Sequence, residues 1–497
     1  MENNIKSNFL NFYINTEHKK VLIIEKNNID LDSISKKRYD IVFLNGTLEY
    51  ANSIIKSNTP ELDLINFCKN LLEDEGRLYI AVDNCQGVRY QVGDKSEHCE
   101  KIYDSLKQKY AFGKMFDKKE LDKIISLVDF KHKKYYYPLP NYIMPNVVFT
   151  DELLPNSKNS KLNYNVIYNQ DSLIVQDELA LLKIFIKENR FVEFTNSYVV
   201  ELSNIIPNEN VKYCSINNMR KDKYSLVLKM DDQFVKKYPK SEETMKHVKN
   251  INNNIKILKQ LGFNVAETEN EKMVVSKKMS YKLLDELIVE NINNKQSVYD
   301  LVDDCYKYIK ERLKPNSEGI VKYGFIDMVF ENIFYDDNNN DYIIFDQEWY
   351  QENIQFDYII YRAFNNLYAH NPEINSIIPI NYFFEKYNLS DKKEQFEKEE
   401  NDFQKEIIDE EKQKYYAEQY IYKVSSEELK DIIKAVKKLD KDNVELIAGN
   451  KKLNEDNIQL LEGIKKLDRD NVDLINENER LKDVNNNLLR ELNKYKQ

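Results

Sequence analysis

The sequence has few cysteines, and their arrangement favours neither crosslinks nor a metal site. They are odd in number and widely scattered, and no two of them form a Cys-x-x-Cys pair (Cys68, Cys85, Cys99, Cys214 and Cys305). A disulfide framework and a structural zinc site are therefore not expected. Reduced thiols, as in a cytoplasm, are the default interpretation.

Long apolar runs and a positive net charge are also missing. Its apolar runs, such as Tyr342–Phe345 and Tyr198–Val200, are far shorter than the roughly 20 residues of a membrane-spanning helix. The N-terminal segment MENNIKSNFLNFYINTEHKK lacks the apolar core of a signal peptide. A formal net charge of -11 disfavours nucleic acid and anionic membranes as partners, because like charges repel. We therefore expect a cytoplasmic protein without a transmembrane segment or a nucleic-acid partner.

What the sequence does contain is clearest near its C-terminus, where a 14-residue unit repeats from Lys437 onward. Leucine recurs every seventh residue, at the d position of a heptad (Leu439, Leu446, Leu453, Leu460, Leu467, Leu474, Leu481 and Leu488). Asparagine occupies most of the matching a positions (Asn443, Asn450, Asn457, Asn471, Asn478 and Asn485). Buried asparagines at a pair with their symmetry mates, which predicts a parallel coiled coil and favours a dimer. A second apolar stripe, which includes Val444 and Ile447, leaves a trimer open.

The N-terminal part alternates between strand-like and helix-like segments. Short runs of apolar or β-branched residues lie at Val21–Glu25, Tyr39–Leu44 and Arg77–Val82, and helical patterns lie at Pro60–Leu72 and Lys118–Val128. Such alternation is typical of a parallel α/β sheet.

The stretch GFIDMVFENIFYDDNNNDYIIFDQEW carries three oxygen-bearing side chains at a spacing suited to Mg-ATP. Asp327 precedes Asn332 by five residues, and an apolar strand then leads to Asp346. Phosphoryl transfer needs charge neutralisation and aligned oxygens more than covalent help from the protein. We expect Asp327 to act as the catalytic base, and Asn332 and Asp346 to hold Mg²⁺. The turn-forming DDNNN segment would let the chain double back and bring Asp346 beside Asn332.

Upstream, the strand FVKK offers a lysine for the phosphates of ATP. Strand alternation places Lys237 on the same face as the small Val235, so Lys237 is preferred to Lys236. In the next helix, Glu242 or Glu243 is available to pair with this lysine, and Glu243 is assigned to the nucleotide site.

A phosphate-covering loop is expected before these strands, at SINNMRKDKY. It has no Gly-x-Gly-x-x-Gly motif, so its Ser and Asn turns, with Arg220, would have to contact the nucleotide.

The whole pattern resembles the kinase-like superfamily, especially the aminoglycoside- and choline-kinase branch, in which Asp-x-Glu replaces Asp-Phe-Gly. Here that triplet is Asp-Gln-Glu at 346–348. One position departs from the pattern, since Phe325 stands two before the catalytic aspartate, where histidine is usual.

Other strings, YDIVFLNGTLEYAN, LLEDEGRLYIAVDN, GVRYQVGDKSEH and VFTDELLP, resemble the C-terminal half of class I SAM-dependent methyltransferases. With a kinase-like part and heptads following in this order, the chain resembles the bifunctional methyltransferase–kinase proteins that modify or terminate bacterial surface polysaccharides such as O antigens. No glycine precedes Gly46, and the span from Val21 to Tyr39 is too short for the first half of a SAM site. SAM is therefore not expected as a cofactor. His98, Asp83 and Asn84 either line an old substrate cleft or are satisfied loop residues.

These observations predict a multidomain fold with three parts. They are a truncated α/β Rossmann-like methyltransferase domain (1–155), an α+β protein-kinase-like domain of the aminoglycoside/choline kinase type (160–422), and a long C-terminal coiled coil (425–497). The function they favour is Mg-ATP-dependent phosphorylation of a hydroxyl, and the resemblance implies a glycan or glycolipid-linked acceptor. Two alternatives stay open: a non-catalytic pseudomethyltransferase–pseudokinase scaffold, and an active SAM-dependent methyltransferase.

Overall fold

The computed structural model describes residues 13–26, 37–156, 164–206, 211–419 and 426–494, apart from positions 15, 17, 170 and 171, together with residues 34 and 162. The chain divides into two compact units, Met1–Lys423 and Val424–Gln497. The strands are β1 (Val21–Glu25), β2 (Tyr39–Asn45), β3 (Leu72–Asp83), β4 (His132–Leu139), β5 (Val147–Thr150), β6 (Ser197–Ser203), β7 (Tyr213–Ile216), β8 (Leu226–Met230), β9 (Phe234–Pro239), β10 (Asn264–Val265), β11 (Glu267–Thr268), β12 (Val274–Lys277), β13 (Lys282–Leu283), β14 (Ile320–Phe325), β15 (Ile333–Asp336), β16 (Asp341–Ile344) and β17 (Tyr350–Gln355). The α-helices are α1 (Ala51–Ile54), α2 (Pro60–Asn70), α3 (Val88–Gln91), α4 (Lys118–Ile125), α5 (Glu178–Lys187), α6 (Phe191–Phe194), α7 (Met245–Gln260), α8 (Leu284–Glu290), α9 (Lys295–Leu313), α10 (Phe356–His370), α11 (Ile380–Lys386), α12 (Lys393–Ile407), α13 (Glu410–Gln419) and α14 (Ser426–Lys494).

Eleven strands of the first unit form one mixed sheet, in the order β1-β2-β3-β6-β4-β5-β7-β8-β9-β12-β11. The strands β1, β2 and β3 run parallel, with Val21 opposite Ile41 and Val42 opposite Leu78, as the alternation of the N-terminal part predicts. All later neighbours in this sheet are antiparallel. Apolar side chains of the first strands pack with those of α2, α4 and α5 in the main core beside β1 to β6.

The predicted fold class is wrong, because this sheet does not stop where the methyltransferase-like part was expected to end. β6 pairs with β3 through Tyr198 and Val82, and with β4 through Val199 and Tyr136. All seven residues of β6 are buried, so its main-chain groups find their partners in the two neighbouring strands. The structure is therefore a mixed α/β fold built on one large sheet rather than a Rossmann-like domain followed by a kinase-like domain.

The predicted domain boundaries fall largely on residues outside the described part of the chain. Residues 157–160 and 422–425 belong to that undescribed part. The boundaries themselves therefore stay predictions.

Two smaller sheets and a group of helices complete the first unit. The four-stranded sheet has the order β10-β16-β15-β13, and β14 pairs with β17. β15 and β16 form a hairpin in which Ile333 faces Ile344 and Asp336 faces Asp341. The DDNNN segment is thus the turn that the sequence predicts. A second core beneath this hairpin is filled mainly from α9, α10 and α11.

The second unit consists of α14, and here the predicted fold class needs another correction. The heptad residues form one continuous helix, and a coiled coil is not shown. The leucines of the repeat, Leu453 and Leu467 for example, are exposed on that helix. Among the described residues, no helix combines the length and the apolar content that crossing a membrane requires.

Candidate functional site

The β15–β16 hairpin brings together the residues that the sequence separates by 14 positions. Asn332 ends a short 3-10 turn just before β15, and Asp346 lies two residues after β16. The backbone N–H of Phe345 donates to the Asn332 carbonyl at 3.1 Å. The Asn332 side chain donates through Nδ2 to the carbonyl of Asp327 at 3.1 Å. All three predicted phosphotransfer residues therefore lie at one end of this hairpin.

Asp346 has a backbone conformation that few side chains adopt. Its φ of 59° lies in the left-handed region, which costs a non-glycine residue about 1–2 kcal/mol. The Asp346 N–H donates to Oε1 of the buried Glu267 at 2.6 Å, and this contact helps to hold the conformation. The Asp346 carboxylate accepts a hydrogen bond from Lys237 Nζ. Burial raises the pKa of Asp346, and the charge of Lys237 opposes that rise.

Glu348 is the carboxylate at which several positive groups converge. Lys237 Nζ lies 2.5 Å from its Oε1, and Arg220 Nη1 lies 2.6 Å from its Oε2. His247 Nε2 is 3.6 Å from the same Oε2, which is too long for a hydrogen bond. Burial opposes the ionisation of Glu348, but the charges of Arg220 and Lys237 outweigh it and hold the pKa of Glu348 well below its usual range.

The carboxylate of Asp327 faces a cation and a backbone amide. Arg362 Nη1 lies 3.3 Å from Oδ1, and the N–H of Trp349 lies 3.3 Å from Oδ2. Burial raises the pKa of Asp327 to about 7; Arg362 lowers it, while the negative charges of Glu348 and Asp346 raise it. These charges act on one another because Asp327 and the 346–348 segment share one cluster. A carboxylate with a pKa near neutrality suits proton transfer.

The structure places Lys237 and Arg220 in this cluster and leaves Glu243 outside it. Glu243 is exposed in the turn before α7, and Lys237 pairs with Asp346 and Glu348 instead. The neighbouring Lys236 points to the other face of β9, where it bonds Asp231 at 2.9 Å.

Two further members of the cluster escaped sequence reasoning. Glu267 comes from β11, far along the chain from the Asp-Gln-Glu triplet, and Arg362 comes from α10, the helix that follows β17. Neither lies in a recognisable motif, and only their tertiary contacts identify them.

Phe325, the departure from the kinase-like pattern, is fully buried and packs against Tyr350 with ring centroids 5.6 Å apart.

A cavity of about 470 Å³ lies beside this cluster. Apolar side chains form most of its wall, among them Leu228, Val274 and Phe345, and the charged groups Lys237, Glu267 and Asp346 lie at its polar side. Its size and lining are those of a small-molecule site, in which apolar walls hold a flat ligand and a few polar groups orient it.

The residues present fit a magnesium–nucleotide. The Asp346 side chain is 34% exposed, and its carboxylate offers hard oxygen ligands at the cavity. The amide nitrogen of Asn332 is occupied by the Asp327 carbonyl, which leaves the amide oxygen for a cation. Lys237 uses two of its three N–H donors on carboxylates and has a third for a phosphate oxygen.

The methyltransferase-like strings contain a separate buried ion pair. His98 Nε2 lies 3.0 Å from Glu49 Oε2, and His98 Nδ1 lies 2.9 Å from the Phe112 carbonyl. The N–H of Asp83 donates to Glu49 Oε1 at 2.5 Å, and the Tyr90 hydroxyl donates to the Asp83 carboxylate at 3.1 Å. His98 is therefore a fully buried residue with satisfied ring nitrogens.

Comparison with known proteins finds no matching family model and no matching curated protein. Among solved structures, the chain is similar to a SAM dependent methyltransferase from Archaeoglobus fulgidus, with 14% sequence identity and a TM-score of 0.20. The alignment covers 35% of this chain and 62% of that one, so the chain spans less than two thirds of the length of the structure it matches. A likeness at this TM-score carries no argument about function.

Proposed function

We propose that the chain binds a magnesium–nucleoside triphosphate, ATP in particular, in the 470 Å³ cavity and transfers its terminal phosphoryl group to a hydroxyl. The observation that carries this proposal is the meeting of Lys237, Asp346, Asn332 and Asp327 beside an apolar cavity. A lysine, two hard-oxygen ligands and a proton acceptor are the groups that phosphoryl transfer uses.

Each residue has a role that its contacts support. Lys237 binds phosphate oxygens, and Asn332 and Asp346 hold Mg²⁺, which when bound neutralises phosphate charge. The acceptor oxygen forms the new bond to phosphorus, and the bond to the leaving diphosphate breaks. The hydroxyl proton goes to Asp327, whose pKa of about 7 suits a base at neutral pH. Arg220, anchored on Glu348, lies at the same end of the site and adds positive charge.

The acceptor class rests on the resemblance to polysaccharide-modifying proteins rather than on the cavity. We propose a hydroxyl of a glycan or of a glycolipid-linked intermediate, phosphorylated in the cytoplasm. We further propose that copies of the chain associate in parallel through α14, because its exposed leucine seam with asparagines at a gains burial only against another helix.

A second candidate is a scaffold that binds nucleotide without transferring phosphate. The specific observation in its favour is that both reactive groups are already paired: Asp327 with Arg362, and Lys237 with Asp346 and Glu348. The two candidates share the nucleotide site and differ only in turnover.

Nucleotide binding is tested by thermal unfolding of the full chain with and without MgATP. At a ligand concentration 100 times the dissociation constant, binding adds about 2.7 kcal/mol to the stability. We expect this gain in the unsubstituted chain and a much smaller gain in Lys237→Ala. Lys236→Ala is the matched control, since Lys236 bonds Asp231 on the other face of the strand and should keep the gain. The absence of any gain in the unsubstituted chain would reject both candidates.

A further inference from the structure

Glu267 has an unused oxygen at the wall of the cavity. The residue is 6% exposed, and its Oε1 accepts from the Asp346 N–H at 2.6 Å. Its Oε2 is buried and has no hydrogen-bond partner among the described residues. A buried carboxylate oxygen without a partner is costly, and in a native structure it is explained by a bound water or ion, by a proton, or by a partner that arrives in another state.

The register of the sheet places Glu267 on the same face as Lys237. Lys237 on β9 lies opposite Val274 on β12, and Ser276, two residues along β12, lies opposite Glu267 on β11. Residues directly opposite each other, and residues two apart on a strand, point to the same face. All four side chains accordingly line the cavity. The two strands are about 10 Å apart, a gap that the long lysine and glutamate side chains together can bridge.

Lys237 needs another negatively charged partner if Asp346 is to hold a metal ion. At present its ammonium lies against Asp346 and Glu348. A divalent cation on Asp346 would set two positive charges side by side at a low-dielectric site, which is strongly unfavourable. Glu348 keeps one of the lysine donors, and the Oε2 of Glu267 is the acceptor that the cavity wall still offers. The exposed Glu243 is the partner that the sequence predicts, and it does not contact Lys237.

We propose that Glu267 is a positioning residue of the nucleotide site, which receives the ammonium group of Lys237 when a magnesium–nucleotide engages Asp346. This inference rests on the proposed nucleotide binding. It adds that Lys237 exchanges Asp346 for Glu267 as a partner when the magnesium–nucleotide binds. In the kinase-like pattern the lysine partner is carried by a helix, whereas in this chain it is carried by the edge strand β11.

The test compares nucleotide binding with and without metal in Glu267→Gln. Glutamine keeps an oxygen that accepts from the Asp346 N–H, so the backbone of Asp346 stays supported, but it has no charge to offer Lys237. Calorimetry on the full chain should show MgATP binding weakened about tenfold, with ATP in EDTA bound within about twofold of the unsubstituted chain. Glu267→Asp should restore part of the MgATP affinity. Glu271→Gln, the same change at an exposed position nearby, should match the unsubstituted chain in both conditions.

A double-substitution cycle with Lys237→Ala gives a second readout. The coupling between Lys237 and Glu267 should be about tenfold in MgATP and absent in EDTA. An unchanged MgATP affinity in Glu267→Gln, or an equal loss with and without metal, would overturn the inference and leave the proposed nucleotide binding intact. Failure of the unsubstituted chain to bind either form of ATP would overturn both.

Discussion

Arg362 and Asp327 are joined across 35 positions of sequence, with Nη1 of the arginine 3.3 Å from Oδ1 of the aspartate. The same guanidinium donates through Nε to Glu400 at 2.7 Å and also bonds the Ile326 carbonyl. Arg362 thus connects Asp327, the proposed base, to α12 through one side chain. Because it neutralises two carboxylates at once, its loss has consequences for both stability and geometry.

Replacing Arg362 by glutamine should destabilise the first unit by about 3 kcal/mol, since two largely buried carboxylates lose their cation. Urea unfolding of the full chain measures this change. Arg190→Gln removes an exposed pair with Glu193 and should cost less than about 1 kcal/mol. Equal, small losses in both variants would mean that the Arg362 bridge contributes little.

Replacing Asp327 by asparagine should strongly reduce phosphoryl transfer and leave nucleotide binding unchanged. The amide cannot accept the hydroxyl proton, so turnover should fall on the order of 100-fold or more. ADP release in the presence of a panel of glycan acceptors measures turnover, and the MgATP-induced thermal shift measures binding. Asp337→Asn, the same change at the exposed hairpin turn, is the control. Turnover that survives in Asp327→Asn would favour another base.

The His98–Glu49 pair predicts a loss of stability at alkaline pH. Burial lowers the pKa of His98, but the hydrogen bond and charge of Glu49 raise it more, to about 9 from an ordinary value of 6.5. Burial raises the pKa of Glu49 to about 7 from 4.5. The folded state therefore holds protons more tightly than the unfolded state at both groups.

For His98 the stabilisation is present in full below pH 6.5 and is lost as pH rises through 9, at most about 3 kcal/mol. Urea unfolding between pH 6 and pH 9.5, as approximate end points, should show this fall, and His98→Gln should flatten it. His132→Gln, on the half-buried end of β4, should keep the slope of the unsubstituted chain. A slope that persists in His98→Gln would assign the pH dependence to other groups.

Self-association through α14 should depend on the leucine seam. Leu460→Lys combined with Leu474→Lys places charges at two d positions and should convert the full chain to monomers in sedimentation experiments. Gln459→Lys combined with Asp473→Lys changes adjacent positions off the seam and should leave the assembly as it is. A monomeric unsubstituted chain would contradict the proposed assembly.

The sequence by itself determined the local features of this protein. Heptad spacing predicted the long helix, and the DDNNN turn between two strand-forming runs predicted the hairpin that sets Asp346 beside Asn332. Strand alternation separated Lys237 from Lys236. Each of these depends on neighbours within a few residues, where the period of a strand or helix dictates which side chains share a face.

Only the tertiary structure decided which distant segments meet. Because β6 is fully buried, its main-chain groups need a paired strand on each edge. Its own residues do not specify that these strands are β3 and β4. The sequence likewise does not show that Glu267, Glu348 and Arg362 meet. The tertiary fold brings the carboxylates of Glu267 and Glu348 to the site of Asp346 and Lys237, and it brings the guanidinium of Arg362 to Asp327. Contacts between distant segments depend on which surfaces of the whole chain are buried together, and a short motif does not contain that information.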